Sequence, residues 1–419
     1  MMNKIVQIDG KFVKNNLIYL KQIIFEVTEK CNLNCKYCGL SDLYQSYEIR
    51  SNRDLPFTKV KLMIDYLSDI WKNNEQSDTV FRTAVGFYGG EPLINITLIK
   101  QIINYIEQMK IPGRKFHYTM TTNAMLLDKY MDFLAEKDFK LLISLDGDEK
   151  AQSYRVDHAG NNSFNQVLRN VKLLQSVYPD YFNESVRFAS VLHNRNDVDT
   201  VYDFFKTNLN VTPHINLLND SGVREDKKEE FKKMYKNKSQ SIIKLPNCEA
   251  IEDEYFLETP KGYRLTRYLY HLSGNIFLNY NELLLQKLEN YEVFTGTCTP
   301  FSKKLFISAD GKILQCERID HDFVLGFVHD DFVELNCKYV AERHNYYLSK
   351  YAKQCVCCAT NKLCPQCIYQ IDDIRNESPY CHYFFTEKTS EINKEQIYDY
   401  LRQHPHYYEK VLNEVRFNI

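Results

Sequence analysis

The chain has 419 residues and a mass of 49.7 kDa, enough for one large domain or two ordinary ones with a well-buried core. Its 53 basic and 55 acidic residues leave a formal net charge of −2, which excludes a global electrostatic footprint for nucleic acid. The sequence has neither the apolar segment of a secretory signal nor a run long enough to span a membrane, so we expect a cytoplasmic protein without a membrane partner. In that reducing compartment the 13 cysteines are better explained as metal ligands than as disulfides.

Short β-branched or aromatic runs alternate with helical periodicity over the first half of the chain, which predicts a parallel α/β architecture. Two apolar stripes, within residues 60–71 and 99–106, repeat at helical spacing and are predicted to be core. About six strand–helix units are fewer than the eight that close a TIM barrel, so we expect a partial (β/α)6 TIM-like barrel. The six predicted strands are Ile23–Val27, Ala84–Tyr88, Phe116–Thr121, Lys140–Asp146, Val186–His193 and Pro213–Leu218.

The pattern changes after Asn219. A charge-rich stretch, residues 224–238, predicts a solvated helix. From Cys298 to Cys381 the chain carries nine cysteines and little helical periodicity, which predicts a small domain organised by metal. We therefore divide the chain into an N-terminal segment 1–21, a barrel 22–225, a bridging region 226–290, a cysteine-rich domain 291–385 and a C-terminal helix 386–419.

A cysteine triplet follows the first predicted strand. Cys31, Cys35 and Cys38 form a C-x3-C-x2-C pattern, and three thiolates are one short of a closed tetrahedral site. The triplet implies either a distant fourth ligand, as in a structural zinc site, or a metal corner left open for a small molecule. Loops that follow barrel strands carry active sites, which favours the open corner.

With Tyr37 before its last cysteine, this loop resembles the signature of the radical S-adenosylmethionine (SAM) superfamily. The resemblance implies a [4Fe–4S] cluster whose fourth iron is chelated by SAM, with Tyr37 next to the adenine. Gly89, Gly90 and Glu91 end the second strand and are similar to the family's GGEP motif, whose backbone carbonyls receive the SAM amine. Glycine permits this close approach of the backbone.

Two later strand ends extend the resemblance. Ser144 opens an S-L-D-G segment and Arg155 follows, similar to the pattern in which Ser and Arg hold the ribose and carboxylate of SAM. The sequence departs from that pattern at Asp148, where the family usually has Pro, and lacks its usual His-Asp before the Arg. By position, Val191 on the fifth strand would form an adenine wall, and residues 121–123 would face the cofactor or cap a turn.

The second group of cysteines resembles the SPASM extension of radical SAM enzymes, a C-terminal domain with two auxiliary [4Fe–4S] clusters, which would make three clusters in all. It departs from the family in one spacing, x2 where x3 is usual, between its last two closely spaced cysteines. The resemblance implies an outer cluster on Cys355, Cys358, Cys364 and Cys381, and an inner cluster on Cys298, Cys316 and Cys367. A zinc-ribbon site is the alternative.

The inner cluster would then lack one ligand. Cys337 could complete it, or one iron could stay open for substrate; Cys248 and Cys357 are predicted to be spare thiols. The segment Leu305–Leu314, with an Asp-Gly turn signal, predicts a hairpin that leads to Cys316.

The resemblance implies that one electron cleaves SAM to methionine and a 5′-deoxyadenosyl radical, which abstracts a hydrogen atom from substrate. An auxiliary cluster would accept the second electron. We expect a maturase that forms a thioether or C–C crosslink in a ribosomally made peptide. The alternatives are an anaerobic sulfatase-maturating enzyme, which makes formylglycine from Cys or Ser, and a non-catalytic metal-binding module. Glu317 stands where the sulfatase-maturating enzymes place an Asp as proton acceptor.

The expected partners follow from this chemistry. They are a precursor peptide and a flavodoxin or ferredoxin-type reductant. About thirty residues precede the first cysteine, too few for a winged-helix leader-binding domain, so a separate protein or the barrel surface would bind a leader.

Overall fold

The computed structural model describes residues 7–44, 51–73, 80–220, 222–238, 241, 253–272, 295–359, 364, 366–371 and 373–415. The chain divides into two compact units. The sheet unit comprises residues 8–238 and 298–344, and the C-terminal unit comprises residues 1–7, 239–297 and 345–419. The domain boundaries drawn from the sequence stay a prediction, and Cys248 lies outside the described residues.

Six parallel strands form one side of the sheet, and the predicted α/β fold is confirmed. They pair side by side in chain order, with Ile24 opposite Gly86 and Ile143 opposite Phe188. Every residue of β1 after Gln22 is buried, as expected for a parallel strand covered on both faces. The strands are β1 Gln22–Thr28, β2 Phe81–Gly89, β3 Arg114–Thr122, β4 Lys140–Ser144, β5 Val186–Leu192 and β6 His214–Leu217.

Helices connect these strands and bury the predicted apolar stripes. Val60, Leu67, Ile99 and Ile106 are all buried, which confirms the two core stripes. Capping fixes several helix ends; for example, the Asp9 carboxylate accepts the N–H of Phe12 at 2.8 Å. The helices of the sheet unit up to residue 238 are α1 Gly10–Ile18, α2 Phe57–Lys72, α3 Ile96–Gln108, α4 Leu127–Glu136, α5 Phe164–Val177, α6 Pro179–Ser185, α7 Val198–Leu209 and α8 Lys228–Met234.

The sheet continues on the other side of β1. Strand β7, Leu305–Ile307, pairs in parallel with β1, placing Leu305 opposite Ile23. Strands β8 Lys312–Leu314, β9 Gly326–Val328 and β10 Val333–Glu334 follow as antiparallel neighbours. The predicted hairpin is thus confirmed, and Gly311 makes its turn with φ +93°. The sequence did not predict that this hairpin joins the barrel sheet.

The remaining described helices are α9 Pro260–Arg267, α10 Cys337–Cys357, α11 Glu387–Gln403 and α12 His406–Glu414. Helix α10 shows that the expectation of little helical periodicity between Cys298 and Cys381 is wrong. Its buried residues Val340, Ala341, Leu348 and Tyr351 lie on one helical stripe, but the buried His344 and the exposed Tyr339 and Tyr346 interrupt the apolar pattern. None of the helices that the structure describes has the length and apolarity needed to cross a bilayer.

Candidate functional site

A cavity of about 270 Å³ opens at the carboxyl ends of β1 to β5. In a parallel sheet, the loops that follow the strands gather at this edge. The cavity is lined by the cysteine triplet and by all the residues that the sequence pattern connects with SAM, namely Cys31, Cys35, Cys38, Tyr37, Gly89, Gly90, Glu91, Ser144, Arg155 and Val191. Residues 121–123 line it as well. The structure brings these residues together, and their individual roles stay predictions.

Backbone pairing holds the cysteine loop in place. The N–H of Asn34 donates to Val156 O at 2.6 Å, and the N–H of Lys36 donates to Tyr154 O at 3.0 Å. His158 adds a contact from its Nε2 to Cys31 O at 2.8 Å. Hydrogen bonds to the segment that follows β4 therefore hold the cysteine loop in its conformation.

The three thiols of the triplet are half-buried. Burial raises the pKa of Cys31 to about 11 and that of Cys35 to about 12, so a metal has to displace protons on binding. Within the described residues, no group of three His, Cys, Asp or Glu side chains is placed to hold one metal ion. A zinc ion needs all its thiolates at about 2.3 Å from one centre, whereas each cysteine of a four-iron cluster binds a different iron atom. Cys31, Cys35 and Cys38 line one cavity and are the ligand type of a four-iron cluster, in which three cysteine ligands would leave one iron open.

Two consecutive glycines end β2 in close contact with the start of the cysteine loop. A Cβ on Gly89, whose φ is +132°, would lie 2.1 Å from Thr28 O. A Cβ on Gly90 would lie 2.2 Å from Lys30 O. Any other residue here would force the two backbones apart, so these positions require glycine.

Glu91 is a buried carboxylate at the cavity wall. It accepts the N–H of Asn123 at 2.7 Å, the hydroxyl of Thr122 at 2.7 Å and the N–H of Leu93 at 3.1 Å. Burial outweighs these three hydrogen bonds and raises the pKa of Glu91 to about 7. Glu91 therefore joins the end of β2 to the end of β3 beneath the cavity.

Asp146, which follows β4, is the centre of a second polar network, which includes the cavity-lining residues Tyr37, Arg155 and Val191. Its fully buried carboxylate accepts Nε and Nη2 of Arg155, both at 3.1 Å, the N–H of Val191 at 3.0 Å, and the hydroxyl of Tyr37. Burial by itself would raise the pKa of Asp146, but the Arg155 guanidinium and these hydrogen bonds hold it below its usual range. One carboxylate thus positions three of the predicted cofactor residues.

His193 extends this network and was not predicted from the sequence. Its Nδ1 accepts the N–H of Arg195 at 3.1 Å, so Nε2 carries the proton and points towards Asp146 Oδ2 at 3.7 Å. Its ring packs edge-on against Tyr154 with centroids 4.9 Å apart. Asp146 could have been found from its place in the S-L-D-G segment, nine residues before Arg155; His193 carries no such signal.

The sheet unit also holds Cys298, Cys316 and Glu317. Gln315 Nε2 donates to Cys298 O at 3.4 Å, which connects the two cysteine loops. Burial and the neighbouring Glu317 carboxylate raise the pKa of Cys316 to about 12. Glu317 is largely buried and pairs with Lys304 Nζ at 2.9 Å. A paired carboxylate therefore lies directly beside the Cys316 sulfur, 3.6 Å away.

Cys337 begins α10 in a different environment. Burial raises its pKa, and the nearby Lys14 ammonium of α1 opposes that shift. Its other described electrostatic neighbour is Tyr66 of α2. These neighbours belong to the first two helices and not to the loops of Cys298 and Cys316.

Four cysteines of the C-terminal unit lie close together. Burial, with the nearby thiols of Cys364, Cys381 and Cys358, raises the pKa of Cys355 to about 12. The N–H of Phe385 donates to Cys358 Sγ at 3.4 Å, which is the type of contact that supports a cluster ligand. These are the four residues that the sequence assigns to an outer cluster. Two further cysteines of this unit are Cys367, which is partly buried, and Cys357, which is exposed.

Comparison with known sequences identifies the region around the cavity. Residues 25–205 match the Radical SAM superfamily. The chain is 27% identical over 208 residues to a cysteine-type anaerobic sulfatase-maturating enzyme of Clostridium novyi, covering 48% of this chain and 53% of that protein. It is 26% identical over 198 residues to the radical SAM cyclopropyl synthase TigE of Paramaledivibacter caminithermalis, covering 45% of this chain and 38% of that protein. The chain thus spans about half the length of the first relative and less of the second.

Comparison with solved structures extends over most of the chain. Native anSMEcpe with bound AdoMet superimposes with a TM-score of 0.60 at 18% identity, covering 94% of this chain and 99% of that one. The same protein with bound AdoMet and the Cp18Cys peptide gives a TM-score of 0.58 with the same coverage and identity. At this level of identity the likeness establishes the fold.

Proposed function

We propose, from the premise that residues 25–205 are a radical SAM domain, that this chain is an enzyme that uses a [4Fe–4S] cluster and SAM to oxidise a peptide. The favoured reaction is maturation of a ribosomally made peptide by a thioether or C–C crosslink. The observation that carries the proposal is the cavity that Cys31, Cys35 and Cys38 share with Gly89 and Arg155.

In this proposal different residues of the cavity bind different parts of the cluster and of SAM. The three cysteines bind the cluster, and the carbonyls of the Gly89–Gly90 pair accept the SAM ammonium. Ser144 and Arg155 hold the ribose and carboxylate, while Tyr37 and Val191 flank the adenine. When bound, these groups supply an electron and a 5′-deoxyadenosyl radical for hydrogen abstraction. Glu91 and the network around Asp146 keep the walls in position and exclude water.

Arg155 suits this role because only two of its three guanidinium nitrogens bind Asp146. Its Nε and Nη2 are bound to Asp146, and its Nη1 is absent from that pair. The side chain retains about 10% exposure and lines the cavity. A carboxylate arriving there would meet a guanidinium that is already fixed in orientation.

Auxiliary clusters complete the proposed electron path. The outer set is Cys355, Cys358, Cys364 and Cys381, and the inner set is Cys298, Cys316 and Cys367, with Cys337 as a further candidate ligand. Four close thiols support the outer set. Glu317 would accept a proton from substrate, since a carboxylate beside Cys316 is available for base chemistry once it leaves Lys304.

A second candidate is conversion of a Cys or Ser in a sulfatase to formylglycine. The likeness to anaerobic sulfatase-maturating enzymes in sequence and fold favours it. The partners proposed for the chain are a peptide substrate, a flavodoxin or ferredoxin-type reductant and, for a leader-bearing precursor, a separate leader-binding protein.

Anaerobic reconstitution tests the shared part of the proposal. With dithionite, the wild type should bind iron and sulfide and cleave SAM to 5′-deoxyadenosine and methionine. Cys35→Ala should lose this cleavage, whereas Cys357→Ala, which removes an exposed and unassigned thiol, should retain it. Cleavage that survives loss of Cys35 would remove the assigned cluster.

Mass spectrometry of the products of Cys-containing peptides separates the two candidate reactions. A thioether or C–C crosslink removes two hydrogen atoms and keeps every sulfur atom of the peptide. Formylglycine formation from Cys replaces the thiol sulfur with oxygen. Products of the second kind with a sulfatase peptide, and none with Cys-containing precursor peptides, would favour sulfatase maturation.

A further inference from the structure

The side chain of Asn123 reaches a sulfur atom of the cysteine triplet. Its Nδ2 lies 3.8 Å from Cys31 Sγ and 2.7 Å from Asn32 Oδ1. Its Oδ1 accepts the N–H of Met125 at 3.0 Å. Because the oxygen must face that backbone donor, the amide nitrogen faces the loop, with one hydrogen for Asn32 and one for the sulfur.

The backbone on both sides of Asn123 fixes this orientation. Its N–H donates to Glu91 at 2.7 Å. The next residue, Ala124, has a φ of +59°, a left-handed conformation that non-glycine residues seldom adopt. The hydroxyl of Thr122 accepts the N–H of Ala124 at 3.0 Å, and Asn170 Nδ2 donates to Ala124 O at 2.9 Å. The carboxamide is therefore held ready before any cofactor binds.

We infer that Asn123 sets the reduction potential of the cluster held by the triplet, an inference that rests on the proposed function. One-electron reduction by an external donor adds negative charge to the cluster and its thiolate sulfurs. An N–H donor at a sulfur stabilises the reduced state more than the oxidised one and raises the potential. The backbone N–H of Leu33 donates to the same sulfur at 3.4 Å, but a side-chain donor can be removed by substitution.

Asn123→Leu and Asn123→Asp test this role, with Asn95→Ala as the matched control. Asn95 donates to Val27 O at 2.9 Å and caps α3, and neither of these hydrogen bonds involves a cysteine. The full chain is reconstituted anaerobically and titrated with reductant, following by EPR the reduced signal that changes when SAM is added. That signal belongs to the cluster of the triplet.

Asn123→Leu should lower the midpoint potential, reducing the ratio of reduced to oxidised cluster at a fixed potential about tenfold, which is about 59 mV for one electron. Asn123→Asp, which has nearly the same shape, should lower it further because it also adds negative charge; it carries the test if the Leu variant does not fold. Asn95→Ala should leave the potential unchanged.

Two results would overturn the inference: wild-type potentials in both Asn123 variants at full iron content, or an equal shift in Asn95→Ala. A protein whose EPR signal never responds to SAM, the wild type included, would contradict the proposed function itself. The two failures are therefore distinguishable.

Discussion

Arg155 contacts both carboxylate oxygens of Asp146, at 3.1 Å each, in a part of the sheet unit from which water is nearly excluded. Such a fork-shaped pair fixes the plane of the guanidinium as well as its position. Because Asp146 also accepts the Tyr37 hydroxyl, the pair ties the cysteine loop to the segment after β4. The geometry of the cavity therefore depends on one buried carboxylate.

Replacing Asp146 with Asn should destabilise the protein by about 3–5 kcal/mol, since it leaves the Arg155 charge buried without a counter-ion. Urea unfolding under anaerobic conditions measures the change. The pair of Arg224 with Asp226 provides a control because both side chains are exposed. Asp226→Asn should leave the unfolding midpoint unchanged. Equal effects of the two substitutions would show that the buried pair has no special importance.

Gly89→Ala should prevent correct closure of the cysteine loop. Its Cβ would meet Thr28 O at 2.1 Å, and the positive φ adds about 1–3 kcal/mol of strain. We expect reduced stability and a reduced iron content after reconstitution. Gly39→Ala is the stability control, because its Cβ would meet nothing within 4 Å. Full stability and iron content in Gly89→Ala would contradict the close approach of the two backbones.

Glu91 should make the stability of the iron-free protein depend on pH. Its pKa is raised to about 7 from an ordinary value of 4.5, so between these values the folded state binds more protons than the unfolded state. The contribution of Glu91 to the free energy of unfolding should therefore be greatest below about pH 4.5. It should fall by on the order of 3 kcal/mol as the pH rises to 7.

Glu91→Gln stays neutral throughout and should lack this slope. The measurement is the free energy of unfolding in urea at several pH values for both proteins. A wild-type minus variant difference that does not change with pH would show that the carboxylate is not destabilised by burial. The variant should be less stable than the wild type at low pH, because the Gln amide N–H would face the Thr122 hydroxyl and the Asn123 N–H, which donate to Glu91 in the wild type.

Asp310→Asn should weaken the β7–β8 turn. Burial alone would raise the pKa of Asp310, but the Ser308 hydroxyl and the Lys312 and Arg53 charges hold it below its usual range. The stabilisation, about 1–2 kcal/mol, is thus present above the unfolded pKa and lost as pH falls through the lower folded value. Urea unfolding at neutral and acidic pH measures it. Asp330→Asn, at an exposed residue near the same hairpin, should have no effect.

The sequence alone predicts the six parallel strands because buried strands carry apolar residues on both faces. Phe25, Val85 and Ile143 are examples of such positions. It also predicts that the residues at the strand ends share one cavity, since the carboxyl ends of parallel strands meet at one edge. That reasoning needs only the order of the strands.

Other features depend on contacts between distant parts of the chain. Strand β7 has only three residues, and so short an apolar run does not predict which strand it pairs with. Sequence position points to Asp146 and Asn123 as residues near the site, but their hydrogen-bond partners, and the place of His193 beside Asp146, are visible only in the folded chain. The ion pair of Glu317 with Lys304 is likewise visible only in the folded chain.

The parallel pairing of β1 with β7 has a consequence during synthesis. Glu26 accepts the N–H of Ala309, 283 residues later in the chain. At about 5–20 residues per second, a ribosome needs roughly 15 to 60 seconds to pass from one to the other. During that time β1, the strand that leads to the cysteine triplet, has one edge whose backbone groups have no strand to pair with. Such an edge can pair with another chain and start aggregation. Nascent chains stalled before residue 305 should therefore depend on chaperones.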